Sequence, residues 1–217
     1  MGKTGKMNGM RHLRPERKRM LKNEIIFWVI YMASFFAVEK FGRSPVWIVH
    51  CSLDDMIPFW KGSVYFYLLW FPYIIITCAY YFFREKQENN RMLYRKLAWG
   101  LFPVLLFYLL VPNGLQLRPT YDIGNDFTAQ LVKLLWKSDN PDNVCPSIHV
   151  ILSVIMDRAV CTGRLGKSRP TRWISHVVMV LICISTMLLK QHSVIDVCTG
   201  FLYGILVWYG DRIRKKN

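Results

Sequence analysis

At 217 residues, 53% of them apolar and with a mean hydropathy of +0.18, the chain suffices for one membrane domain and leaves no room for a second, soluble one. The apolar residues fall in blocks broken by charged punctuation, unlike the scattered stripes of a soluble domain of this size. A net charge of +15 raises nucleic-acid binding, but attraction of basic tails to anionic inner-leaflet lipid accounts for it better, and no nucleic-acid partner is expected.

In chain order, a tail over 1–22 holds eight Lys and Arg, and no small-residue cleavage site follows the first apolar block, so it does not read as a signal peptide. That block is Asn23–Phe41. Pro45–Trp60 mixes apolar residues with Asp54–Asp55 and is expected to lie along a membrane interface. The second block, Ser63–Phe83, is followed by a loop with five basic residues over 84–96, and the third block is Leu97–Pro112. Asp126–Lys137 places Phe127, Leu131, Leu134 and Leu135 on one helical face, which predicts an interfacial helix with Trp136 near headgroup level. The fourth block, Pro146–Met156, gains length through Ala159–Cys161 beyond Asp157 and Arg158. Five basic residues over 157–172 precede the fifth block, Trp173–Leu189. The sixth, Ser193–Tyr209, runs into a tail with four more.

A span needs roughly 20 mostly apolar residues, so the blocks predict an all-α polytopic bundle of six transmembrane helices. Cytoplasmic loops collect Lys and Arg. With the N-terminus inside, 22 of the 29 basic residues fall on the inner side, and that alternation requires the fourth block to span. The expected organisation is a basic cytoplasmic tail over 1–22, a six-span membrane domain over 23–210 and a second basic tail over 211–217, with both termini cytoplasmic. Short basic tails without a targeting segment point to a bacterial plasma membrane. The six cysteines show no metal-ligand spacing; Cys51 and Cys145 fall on the outer side and could pair.

Three polar stretches fall at the outer boundary of this topology: Arg118-Pro119, Cys145-Pro-Ser-Ile-His149, and Lys190-Gln-His192-Ser-Val-Ile-Asp196. His192 and Asp196 are four apart, on one face of a helix. A carboxylate there holds one imidazole nitrogen as N–H and leaves the other free to attack. Pro146 and Ser147 read as a helix start, whose free N–H groups favour an anion. His149 in that first turn is placed to protonate a leaving oxygen. Arg118 and Lys190 add the positive charge that phosphoryl transfer needs, although either also reads as a snorkelling interfacial residue.

These residues resemble the type 2 phosphatidic acid phosphatase superfamily, whose members carry K-x6-R-P, P-S-G-H and S-R-x5-H-x3-D. The second motif reads Pro146-Ser147-Ile148-His149; the third reads Ser185-Thr186, five residues, His192, three residues, Asp196. From the first, Arg118-Pro119 is present and Val111 stands at the lysine position. The resemblance runs from about residue 24 to 209. It implies that His192 is a nucleophile forming a phosphohistidine, that Asp196 orients it, and that His149 is the general acid. Arg118, Ser147 and Ser185 would hold phosphate oxygens, with no metal or other cofactor. Val111, Ile148 and Thr186 replace a lysine, a glycine and an arginine, and Lys190 is the candidate to restore one lost cation.

The resulting expectation is a phosphatase acting on a lipid phosphate or diphosphate at the outer face of the membrane. The alternative is a lipid phosphotransferase that passes a phosphoryl or phospho-headgroup to an alcohol acceptor with the same residues. A non-catalytic transporter or lipid-binding protein, and haem ligation by His149 and His192, are weaker readings, the last because it leaves Asp196 and Arg118 unexplained.

Overall fold

In a computed structural model the described residues are 15–214, with side chains to residue 210. Residues 1–14 of the first basic tail and 215–217 of the second lie outside them. Residues 15–22 are not a tail but the start of α1, Pro15–Phe41, in which the first apolar block forms the remainder. After it come β1 (Trp47–Ile48), α2 (Ser52–Met56), α3 (Val64–Leu68), α4 (Trp70–Arg84), α5 (Gln87–Leu110), β2 (Asn113–Gly114), α6 (Phe127–Ser138), α7 (Ile148–Thr162), α8 (Arg169–Leu188) and α9 (Val194–Arg214). The chain is a helical bundle. Among the described residues four stretches are long and apolar enough to cross a membrane: α1, Lys61–Arg84, α5 and α8. The fourth and sixth blocks form shorter helices, α7 and the apolar part of α9 over Val194–Gly210.

Helix α7 is the axis of the bundle. Eleven of its fifteen residues are buried, and α4, α5, α8 and α9 pack around it. A helix enclosed by protein tolerates charge if the charge is paired, which is why Asp157 and Arg158 interrupt its apolar run without ending it. The fully buried Asp157 accepts from Arg158 (Nε 3.0 Å, Nη2 2.5 Å), Ser175 Oγ (2.8 Å) and His176 Nδ1 (2.8 Å).

The connections gather at two ends. At one, β1 pairs in parallel with β2, Trp47 opposite Asn113 and Ile48 opposite Gly114, beside α2, α6 and the turn between α8 and α9. At the other, Arg17 donates to the carbonyls of Phe82 and Phe83, and Arg164 donates to the Arg84 carbonyl. Pro45–Trp60 thus contains a strand and a short helix. Helix α6 differs from expectation in its face. Ala129 and Val132 are its buried residues, with Leu131, Leu135 and Trp136 half-buried beside them, while Phe127 and Leu134 point outward. Trp136 is turned inward, its Nε1 donating to the Leu189 carbonyl at 3.1 Å. Cys51 and Cys145 are both free cysteines and do not pair; Cys145 is buried, with Sγ 3.6 Å from Thr199 Oγ1.

Helix α9 lies against the start of α7 because Gly200 and Gly204, one turn apart, leave room for it. A Cβ at Gly200 would sit 2.8 Å from the Ser147 carbonyl oxygen, and one at Gly204 would sit 3.0 Å from Val154. Small residues at such a spacing let two helix backbones approach. Gly200→Val is therefore expected to destabilise the protein by about 1–3 kcal/mol through overpacking against backbone, read as a lowered midpoint in detergent thermal unfolding.

Candidate functional site

The three predicted polar stretches meet at the end of the bundle that carries the strands. His192 Nδ1 lies 2.7 Å from Asp196 Oδ2, and its Nε2 lies 3.2 Å from Nδ1 of His149. Nε2 of His149 in turn meets the Tyr67 hydroxyl at 2.6 Å. Toward the carboxylate one donor order satisfies the pairs: His149 Nδ1–H donates to His192 Nε2, and His192 Nδ1–H to Asp196. The result is a one-way proton wire ending on a fully buried carboxylate. The rings of Tyr67 and Trp70 pack on His149, with centroids 5.1 and 4.6 Å away, and fix its orientation. Two imidazoles already in hydrogen-bond contact leave no room for a haem between them.

Local structure explains each position. Ser147 is the N-cap of α7, its Oγ accepting from Val150 N, so His149 falls in the first turn. Ser147 N donates to the Asp196 carbonyl at 3.1 Å, which ties the two motifs through backbone. The segment before α7 is clamped by Asn113, fully buried, whose Oδ1 accepts from Val144 N and Cys145 N and whose Nδ2 donates to the carbonyls of Val111 and Cys145. Tyr108 donates to the Pro146 carbonyl at 2.6 Å. On the other side Asp54, 2% exposed, accepts from Val194 N and Ser193 Oγ at the start of α9 and from Cys51 N. A carboxylate facing a helix N-terminus is favourable for both charge and hydrogen bonding.

The predicted phosphate-holding residues divide. Arg118 is in the site: its guanidinium donates to the carbonyls of Trp136 (3.0 Å) and Asp139 (2.6 Å) and to Gln191 Oε1 (2.5 Å), while its Nε is buried without a partner. Ser147 is occupied with its cap, and Ser185 is buried with Oγ donating to the Ile182 carbonyl. Lys190 is 9% exposed and its ammonium donates to the carbonyls of Asp54 (2.7 Å) and Ile57 (2.6 Å), so its charge anchors the α2 segment. Thr186, at the lost arginine position, accepts Gln191 N and His192 N on its carbonyl and shapes the turn instead. Ile148, at the glycine position, is buried in the main apolar core.

A cavity of about 580 Å³ opens beside the histidines. It runs between α1 and α4, where Trp28, Met32, Phe36, Trp70, Phe71 and Ile75 line it. Its polar mouth holds His149, His192, Gln191, Glu39, Asp139 and Asp142. Asp139 Oδ2 accepts from the Tyr67 hydroxyl (3.3 Å) and Gln191 Nε2 (3.4 Å). Burial pushes the Asp139 carboxyl above the usual carboxylate range, against the pull of His192 and Arg118. Tyr67, Trp70, Asn113, Asp139 and Gln191 were not foreseen. Asp54 stood out only as half of an acidic pair, and the Gly200-x-x-x-Gly204 spacing was the one legible signal for how α9 packs. Among the described residues Asp157, Cys161 and His176 form the one group with metal-ligating atoms close together, within 4.8 Å of one another. Arg158 already neutralises its carboxylate, so these residues fit a hydrogen-bonded cluster better than a cation site.

No protein-family model matches the chain. No solved structure gives a significant match. An uncharacterized protein of Methanocaldococcus jannaschii is similar, 25% identical over 146 residues that make up 65% of this chain and 56% of the relative. The match thus spans little more than half of that protein.

The hold of Asp54 on the turn before α9 has a pH signature. Burial alone would raise its carboxyl, but the hydrogen bonds from Ser193, Val194 and Cys51 outweigh it and hold the group below its ordinary value of 3.8. Such a group contributes stability that is whole above the unfolded value and lost as the pH falls through the folded one. Unfolding midpoints are expected to drop more steeply below pH 3.8 in the wild type than in Asp54→Asn, which is weaker near neutrality but flatter in acid.

Proposed function

We propose that the chain is a membrane enzyme that cleaves lipid phosphate esters through a phosphohistidine on His192. The observation that carries this reading is the wire Asp196–His192–His149 at the mouth of an apolar cavity. In the first step His192 Nε2 attacks phosphorus, the P–O bond to the leaving alcohol breaks, and His149, entering the step as imidazolium, gives a proton to that oxygen and becomes neutral. Asp196 stabilises the imidazolium character that develops on His192. In the second step His149 takes a proton from water, whose oxygen attacks phosphorus and breaks the N–P bond. The N–H groups opening α7, at the cavity-lining Ile148 and His149, are the donors available to the phosphoryl oxygens, and Arg118 adds positive charge beside them through its bonds to Asp139 and Gln191.

The arrangement in the membrane belongs to the same reading. Six spans, with α7 and α9 the short inner pair, put both termini on the cytoplasmic side and the histidines at the outer face of what we take to be a bacterial plasma membrane. The basic loops at the end opposite the histidines support that orientation under the positive-inside rule.

A second reading has an alcohol replace water, making the protein a lipid phosphotransferase. The cavity favours it, because an apolar space leading to His192 admits a lipid alcohol as readily as it excludes water. Phosphate release from a panel of lipid phosphates, diphosphates and diesters in detergent decides the matter. Wild type is expected to release product, and His192→Ala to lower the rate by at least about a thousandfold. Product that forms only with an added alcohol moves the assignment to the transferase, and equal rates for both proteins remove His192 from the chemistry.

A further inference from the structure

The cavity beside the histidines is lined by three carboxylates, Glu39, Asp139 and Asp142, and by no lysine or arginine among the described residues. They lie near enough to one another for Glu39 to feel both aspartates electrostatically. Lys190 and Arg118, the two cations expected to serve the site, already hold protein acceptors. Lys190 is spent on two carbonyls, and Arg118 faces the backbone of Asp139 and the Gln191 side chain. Val111 and Thr186 stand where the resemblance would place two further cations. Arg118 is one cation against three carboxylates, so the mouth keeps an excess of acidic groups. A phosphate monoester or a diphosphate brings about two negative charges into that field, and like charges at close quarters in a partly dry site repel strongly.

We infer that the site selects a phosphodiester lipid whose headgroup carries an alkylammonium, with the ammonium at Glu39, Asp139 and Asp142 and the acyl chains between α1 and α4. This rests on the phosphotransfer reading for the position of the phosphorus beside His192. A diester has one negative charge, which Arg118 and the start of α7 can balance. The ammonium then meets the carboxylates left over. The ion pair with these carboxylates is open to primary and quaternary ammonium alike, and the N–H donation that only the primary one adds is worth roughly ten- to a hundredfold.

The test uses the full chain in detergent micelles and reads both binding and turnover. Binding of phosphatidate, phosphatidylglycerol, phosphatidylethanolamine and phosphatidylcholine to His192→Ala is measured by native mass spectrometry, and turnover of the same four by wild type. The two ammonium diesters are expected to bind at least about tenfold better than phosphatidate or phosphatidylglycerol, and the choline and ethanolamine arms separate quaternary from primary ammonium. The preference should vanish in Glu39→Gln/Asp142→Asn, which leaves the Tyr67–Asp139 contact in place, and weaken in Asp139→Asn. Phosphatidate bound or turned over as well as the ammonium lipids overturns the inference, as does a preference that survives in the double variant. Selective binding of ammonium lipids that wild type does not turn over upholds the selectivity and removes the catalytic reading. Turnover of phosphatidate alone does the reverse.

Discussion

The approach of α9 to the first turn of α7 is the constraint from which the rest of the site follows. With only hydrogen at Gly200, the α9 backbone comes close enough for Ser147 N to bond the Asp196 carbonyl. One turn before Gly200, Asp196 is thereby brought beside the N-cap of α7, and His192 is carried to within 3.2 Å of His149. The geometry of the candidate site is therefore set by a backbone contact between two helices. The other elements at this end brace that contact. Asp54 receives the start of α9, Asn113 holds the segment before α7, and the two-residue sheet joins the chain after α1 to the chain after α5.

Positive charge in this region is used for architecture. Lys190 and Arg118 both donate to main-chain carbonyls of segments far away in sequence, and Arg118 also lies over the Trp136 ring at 5.7 Å. Buried carbonyls at irregular turns need donors, since an unpaired one costs about 1–3 kcal/mol, and long cationic side chains reach where backbone cannot. A cation committed in this way lends its field to a bound anion but few of its hydrogen bonds. That distinguishes electrostatic support from direct ligation, and it assigns Lys190 to holding the α2 segment against the turn.

Much of this was readable from the chain. The apolar blocks anticipated the helices, because an apolar run is a local pattern along the sequence; four of the described stretches are long and apolar enough to span a membrane. His192 and Asp196 pair as expected, but His192 does so from the turn before α9 and not from the helix itself, and α7 starts two residues later than Pro146, with Ser147 as its cap. The misses share a cause. Tyr67, Asn113 and Asp54 reach the site across 82, 32 and 139 residues of chain, with no periodicity to announce them. Trp136 and Lys190 read as interfacial residues because sequence shows their chemistry and not their direction. Enclosure of α7 was equally hidden: its length and its Asp-Arg pair look like a poor span, and only the helices around it explain why it is a good core.

The cavity has one more consequence. Its outer wall is formed by Met32 and Phe36 of α1 and by Phe71 and Ile75 of α4, all exposed on the apolar flank of the bundle. Under the proposed function, a lipid entering between those helices would arrive sideways, without passing through water. For such a site the governing variable is the fraction of the surrounding amphiphiles that are substrate, and not the amount per volume of solution. Saturation then follows surface dilution: adding inert lipid slows the encounter at constant bulk content, and encounter is a search in two dimensions.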